Sequence, residues 1–192
     1  MPAPALIEFD PFLADATPDT AVAGRIRASV GLNFGTGFLT PGYVTWRKND
    51  SVPLSLRQTA VEIMAFDVVI DNSDRRQEKP NLLWKDDEMV VFDHELAFAF
   101  TRLIGTPPLP FADASMSFLR HHPLYMGMRG QAVDLRRFVG ELESWTDEEI
   151  ALLCAHVPRE FGTLYVEKIR QWFVQARDRA GLLADAMRRI LQ

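Results

Sequence analysis

The chain has 192 residues, 47% hydrophobic and 24% charged, with a formal net charge of −5 and one cysteine, Cys154. An internal disulfide is excluded, no apolar run reaches the roughly 20 residues of a bilayer helix, and the negative balance disfavours binding to nucleic-acid phosphates. A chain of this length buries about 70% of its unfolded surface, enough for one self-sufficient domain.

The first residues, Met1-Pro2-Ala3-Pro4-Ala5-Leu6-Ile7-Glu8, lack a basic region followed by a long apolar core, so a cytoplasmic protein without a signal peptide is expected. Four prolines by residue 18 surround the apolar patch Leu6–Phe9, which reads as a strand or an entering linker. Residues 31–55 interleave glycines and prolines with Phe34, Phe38, Tyr43 and Trp46 and suit an ordered loop region. Gly31, Gly35 and Gly37 lack the Gly-Lys-Ser/Thr ending of a phosphate loop and are not read as one.

From Ser55 to Ile70 the apolar Leu56, Ala60, Ile63, Met64, Phe66 and Ile70 recur at helical steps, with Ser55 as the expected cap. Asp71-Asn72-Ser73 ends this helix, because short polar side chains bond their own backbone in turns. Leu82-Leu83-Trp84 and Met89–Phe92 then flank Lys85-Asp86-Asp87-Glu88, a strand, turn and strand signal. A short helix is expected over 111–121 and a clearer one over 133–145. Thr146 and Glu149 form a capping box that opens a helix to about His156. Residues 161–191 read as one long helix or two, broken at Gly181, and the cations among Lys168–Arg189 as a solvated face. The fold class expected is mainly α, an α+β chain with one small hairpin.

The stretch from Asp71 to Asp93 carries the chemistry. Phosphoryl transfer asks for a carboxylate beside the acceptor hydroxyl and oxygen ligands for Mg²⁺ on the nucleotide phosphates. Asp74, in the loop, suits the first role. Asn81 and Asp93, at the two ends of the hairpin, suit the second, because a hairpin brings its ends together. Arg75 is placed as a phosphate contact, with a solvated position or an ion pair to Asp71 as alternatives. His94 is read as packing or backbone-bonding. His121 and His122 lack the helical spacing of a zinc pair.

The residues Phe66-Asp67 through Asp71-Asn72-Ser73-Asp74-Arg75, Asn81-Leu82-Leu83 and Phe92-Asp93-His94 with Ala97-Phe98 resemble the HipA-like bacterial kinases, and more distantly the phosphatidylinositol-kinase-like and protein-kinase folds. The resemblance implies a helical kinase-like C-terminal lobe spanning residues 1–192, with a hinge-like entry over 1–20, the catalytic and metal segment over 55–100 and a helical subdomain over 110–192. It also implies Mg²⁺ and ATP as cofactors, Asp74 as the catalytic aspartate, and Asn81 and Asp93 as metal ligands. The kinase asparagine usually stands five positions after the aspartate. Here that position is Lys79, so either the loop is longer and Asn81 is the ligand, which is favoured, or the ligand has become a lysine. A β-rich nucleotide-covering lobe is expected from elsewhere, either as a separate subunit or because the chain is a truncated or shortened version of a two-lobe kinase. The partners expected are a nucleotide and a protein or small-molecule hydroxyl substrate, with no nucleic acid and no membrane. A catalytically inactive pseudokinase-like binding module is the alternative.

Overall fold

The computed structural model describes residues 2–48, 50–161 and 163–192, and the chain divides into two compact units, residues 1–41 and 42–192.

In the first unit, strands β1 (Pro4–Phe9) and β2 (Gly31–Thr36) pair antiparallel, from Pro4 opposite Thr36 to Phe9 opposite Gly31. Two helices, α1 (Pro11–Asp15) and α2 (Thr20–Ala28), fill the connection. Each starts on an aspartate: the Asp10 carboxylate accepts from the Phe12 N–H at 2.8 Å, and Asp19 accepts from Ala21 and Val22 at 2.8 and 2.9 Å. Strand β2 lies where an ordered loop was expected. Two glycines in six residues hide its alternation, and at Gly35 the absent Cβ leaves room for the Ile7 Cδ1, which would otherwise have to shift from 2.5 Å.

The second unit opens with β3 (Val44–Thr45), which joins β4 (Leu82–Lys85) and β5 (Glu88–Val91) in an antiparallel sheet of order β3-β4-β5. The expected hairpin is therefore present, with Leu82 opposite Val91 and Lys85 opposite Glu88. Between β3 and β4 runs α3 (Arg57–Val69), entered through a single 3₁₀ turn at Leu54–Leu56. Ser55 does not cap it. Its hydroxyl donates instead to Asp87 in the hairpin turn, at 2.7 Å, and Leu56 at the helix start makes no side-chain cap.

Helix α3 is the centre of the unit. Ala60, Val61, Ile63, Met64, Ala65, Val68 and Val69 are all buried, so the helix is covered on most of its circumference. The same core takes buried residues from the short helices α4 (Asp113–Met116) and α5 (Tyr125–Met128), with a 3₁₀ turn at Ser117–His121 between them, and from α6 (Arg136–Glu143), α7 (Asp147–Ala155), α8 (Val166–Asp178) and α9 (Leu183–Leu191). Thr146 caps α7 with the reciprocal Glu149 bonds of the expected capping box. The expected break near Gly181 is a 3₁₀ turn at Ala180–Leu182. Helices outweigh short antiparallel sheets, and the chain is α+β. Among the described residues no helix is long and apolar enough to cross a membrane.

The C-terminal end of α3 is anchored unusually firmly. The Trp172 indole N–H donates to the Val69 carbonyl at 2.7 Å, satisfying one of the acceptors that a helix end leaves bare. The same ring stacks on Phe100 at 4.3 Å between centroids. The segment after the hairpin returns to this point: Phe98 N–H bonds Ile70 O at 2.7 Å, Ala99 N–H bonds Asp71 O, and Phe100 N–H bonds the Asp71 carboxylate at 2.7 Å. Helix end, hairpin exit and α8 thus meet at one place.

Trp172→Phe removes the indole N–H and part of the ring. We expect the bare Val69 carbonyl and the partial cavity together to cost about 2–4 kcal/mol, measured as a shift in the urea midpoint at unchanged slope.

Candidate active site

An aspartate stands in the last turn of the buried helix α3. Asp67 is fully buried, and a buried charge is tolerated only when paired and hydrogen-bonded. Three partners surround it. Arg75 Nε lies 2.6 Å from one carboxylate oxygen, Asn72 Nδ2 lies 2.8 Å from the other, and His122 Nε2 lies 3.1 Å from the first. Burial alone would raise the Asp67 carboxyl. The His122 hydrogen bond and the Arg75 charge outweigh it and hold the group below its ordinary value.

The tautomers follow from the donors. The Leu124 backbone N–H donates to His122 Nδ1 at 3.2 Å, so the His122 proton sits on Nε2 and points at Asp67. Complete burial, chiefly, and the nearby Arg75 charge push the His122 pKa down, which keeps the ring neutral. Arg75 donates from Nη2 to His94 Nε2 at 2.9 Å, and a guanidinium only donates, so this nitrogen of His94 is an acceptor. Burial first and Arg75 second lower His94 as well. The structural role expected of His94 is the one observed.

Arg75 joins this centre to the hairpin. Its Nη1 donates to the Asn81 carbonyl, with Phe92 O at 3.4 Å and Pro80 O at 3.5 Å as weaker neighbours. Both ends of the hairpin therefore hang from one guanidinium fixed to α3. The side chain has no solvent exposure. This corrects its expected role as a phosphate contact, because every donor already points into the protein, and it corrects the alternative ion pair with Asp71 too.

What Arg75 positions is the acidic group above it. Asn81 and Asp93 flank the hairpin, and both take the left-handed conformation, at φ 43° and 55°, which Asn and Asp tolerate better than most residues. That conformation turns the two side chains toward each other: Asn81 Nδ2 lies 3.3 Å from Asp93 Oδ2. Asp74 follows α3 by one turn of loop and is 8% exposed. Lys79 closes the group, its Nζ lying 2.8 Å from Asp74 Oδ2, 3.3 Å from Asp93 Oδ2 and 3.9 Å from Glu95 Oε1. The hydrogen bonds to Asp74 and Asp93 raise the Lys79 pKa, so it is charged at neutral pH. The structure thus brings Asp74 and Asp93 to one cation, with Asn81 beside Asp93.

The fit of Mg²⁺ to these residues rests on their chemistry. Carboxylate and amide oxygens are the hard donors that Mg²⁺ takes, and the Asp74 and Asp93 carboxylates already face a positive charge. Among the described residues no three His, Cys, Asp or Glu side chains form a metal cage on their own. Two protein ligands plus substrate phosphates and water is the usual manner of holding Mg²⁺, and it needs no such cage.

Sequence reasoning did not find Asp67, His122 or the bridging part played by Lys79. The signal for Asp67 was available: one acid inside the apolar run Ala65-Phe66-Asp67-Val68-Val69 requires a buried cation somewhere nearby.

Arg75→Met leaves Asp67 buried without its cation, and we expect a loss of about 3–5 kcal/mol, read from urea unfolding. Stability also depends on pH with a definite sign. The folded pKa of His122 lies below the unfolded 6.5, so the unfolded chain binds more protons and stability falls as pH drops below 6.5. Asp67 adds a further loss below its unfolded 3.8. His122→Asn should flatten the first limb without abolishing it, since His94 titrates in the same direction. Equal slopes between pH 5 and 6.5 would remove His122 from the account.

The region containing this group matches a family model described as HipA-like kinase, over residues 1–103. No curated protein and no solved structure matches the chain. The match covers more than half of the 192 residues and includes Asp67, Asp74, Asn81 and Asp93. This chain belongs to the HipA-like kinase family.

Proposed function

We propose that the group built on Asp74, Asn81 and Asp93 is the phosphotransfer site of a Mg²⁺- and ATP-dependent kinase acting on a hydroxyl of a protein or small molecule. The observation that carries the reading is that Asp74 and Asp93 share one cation, Lys79, while Asn81 reaches the same Asp93 carboxylate oxygen at 3.3 Å. Asn81 and Asp93 hold Mg²⁺ in this reading, and the ion when bound neutralises charge on the nucleotide phosphates. Asp74 orients the acceptor hydroxyl and takes its proton. The Arg75 guanidinium holds the two ligand-bearing ends of the hairpin at fixed separation from Asp74, which supplies the positioning on which phosphoryl transfer mainly depends. A β-rich lobe covering the nucleotide, supplied by a separate subunit or by another segment, belongs to the same proposal.

One observation favours the catalytically silent alternative: a lysine ammonium already lies between Asp74 and Asp93. A binding module of that kind takes up nucleotide without transferring phosphate.

The two readings separate in one set of measurements. Mg²⁺-ATP should raise the melting temperature of the protein, since a ligand that binds the folded state stabilises it. Transfer of the γ-phosphate, followed with labelled ATP in the presence of its covering lobe, should fall by about 10²–10⁴-fold in Asp74→Asn, with the melting temperature held near that of the parent. Transfer that survives the substitution removes Asp74 from its role, and stabilisation without any transfer by the parent protein favours the silent module.

A further inference from the structure

The loop between Asp74 and Asn81 is built to place a lysine. Arg76 and Lys79 exchange backbone hydrogen bonds, Arg76 N–H to Lys79 O at 3.2 Å and Lys79 N–H to Arg76 O at 3.0 Å. This small closed turn folds the chain back, so that Lys79 leans over the aspartate five residues before it. Pro80 follows and fixes the backbone between Lys79 and Asn81. The backbone is held at both sides, whereas the side chain is 38% exposed on a flexible four-carbon stem.

Asp93 Oδ2 is shared. The Lys79 ammonium lies 3.3 Å from it and the Asn81 amide nitrogen lies 3.3 Å from it. A divalent ion held by Asp93 and Asn81 would stand within a few ångströms of the ammonium, where like charges repel strongly in a partly desolvated site. The Asn81 amide can present either end, since a flip exchanges its nitrogen and oxygen. Lys79 is part-exposed on its flexible stem and can withdraw into solvent, and withdrawal from Asp93 also breaks its 2.8 Å contact with Asp74.

We propose that Lys79 is a tethered cation that excludes divalent metal from Asp93 and Asn81 and at the same time latches Asp74. Metal entry expels the ammonium, and this expulsion releases the Asp74 carboxylate to meet an acceptor hydroxyl. The site is therefore closed until metal arrives, and the affinity for metal is lowered by the work of displacing the lysine. This inference rests on the assignment of Asn81 and Asp93 as the metal ligands.

The test is Mn²⁺ binding to the full chain without nucleotide, followed by titration calorimetry. Lys79→Met and Lys79→Gln should each bind Mn²⁺ at least tenfold more tightly than the parent, and Lys79→Arg, which keeps the charge, should not. Asp93→Asn should lose Mn²⁺ in the parent and in the Lys79→Met background. Using two neutral variants leaves one to decide if the other folds poorly. Equal or weaker Mn²⁺ binding by the neutral variants, with Asp93→Asn still abolishing it, overturns the latch and leaves the metal assignment standing. An absence of Mn²⁺ binding in parent and neutral variants alike overturns both.

Discussion

The pairing of Asp67 with Arg75 is the interaction on which the rest of the second unit depends. It sits at zero exposure on the most buried helix of that unit, and it connects that helix to everything around the acidic loop. The electrostatic balance is one to one. Asp67 carries one negative charge, Arg75 one positive charge, and His122 and His94 are held neutral by burial and by the guanidinium. A proton on either histidine would add an uncompensated positive charge beside Arg75. Removing Arg75 would leave the carboxylate alone in a medium that cannot solvate it, and for such pairs the loss of one partner costs far more than the pair itself contributes.

From that pair the hairpin acquires its placement. Backbone bonds set the internal register of β4 and β5, but register alone says nothing about where the hairpin's open end points. The Asn81 and Phe92 carbonyls on Arg75, and the return of Phe98 to Phe100 onto the end of α3, supply the missing constraint. The left-handed φ values of Asn81 and Asp93 then become useful. An ordinary extended backbone at these two positions would carry the side chains to the faces of the sheet, whereas the turn out of the strand brings them into mutual contact at 3.3 Å. Phe98 also has positive φ, at 54°, which is costlier for an aromatic residue than for Asn or Asp. Its ring packs edge-on against Phe100 and Phe173, contacts that offset the strain where the hairpin exit docks.

Much of this was legible in the sequence because it is local. Helix α3 follows from apolar spacing, the hairpin from two β-rich runs around Lys85–Glu88, and the α7 start from Thr146 and Glu149. The meeting of Asn81 and Asp93 followed from the adjacency of hairpin ends. What could not be read was set by long-range partners. Arg75 looks like any loop cation until Asp67 is known to lie buried eight residues earlier, and His122 reaches Asp67 from 55 positions away. Strand β2 was obscured by Gly31 and Gly35, which weaken alternation, although Gly35 permits close approach of Ile7. Ser55, a good cap by type, was drawn to Asp87 in the hairpin turn, a competitor that no local pattern reveals.

The division between buried and exposed charges also separates structure from chemistry. Asp67 and Arg75 make fixed, dry contacts and have no freedom to act on a ligand. Lys79, Asp93 and Glu95 are reached by solvent, with side-chain exposures of 38%, 29% and 70%, and their pairings are weak enough to exchange. Asp74 stands between the two sets, with its side chain at 9% exposure and joined to the part-exposed lysine, not to the fixed arginine beside it in sequence. Consecutive residues therefore serve opposite purposes. Arg75 turns inward and fixes the loop, whereas the Asp74 carboxylate pairs with Lys79 at 2.8 Å and more loosely with Arg76 at 3.8 Å, part-exposed cations that another cation can replace.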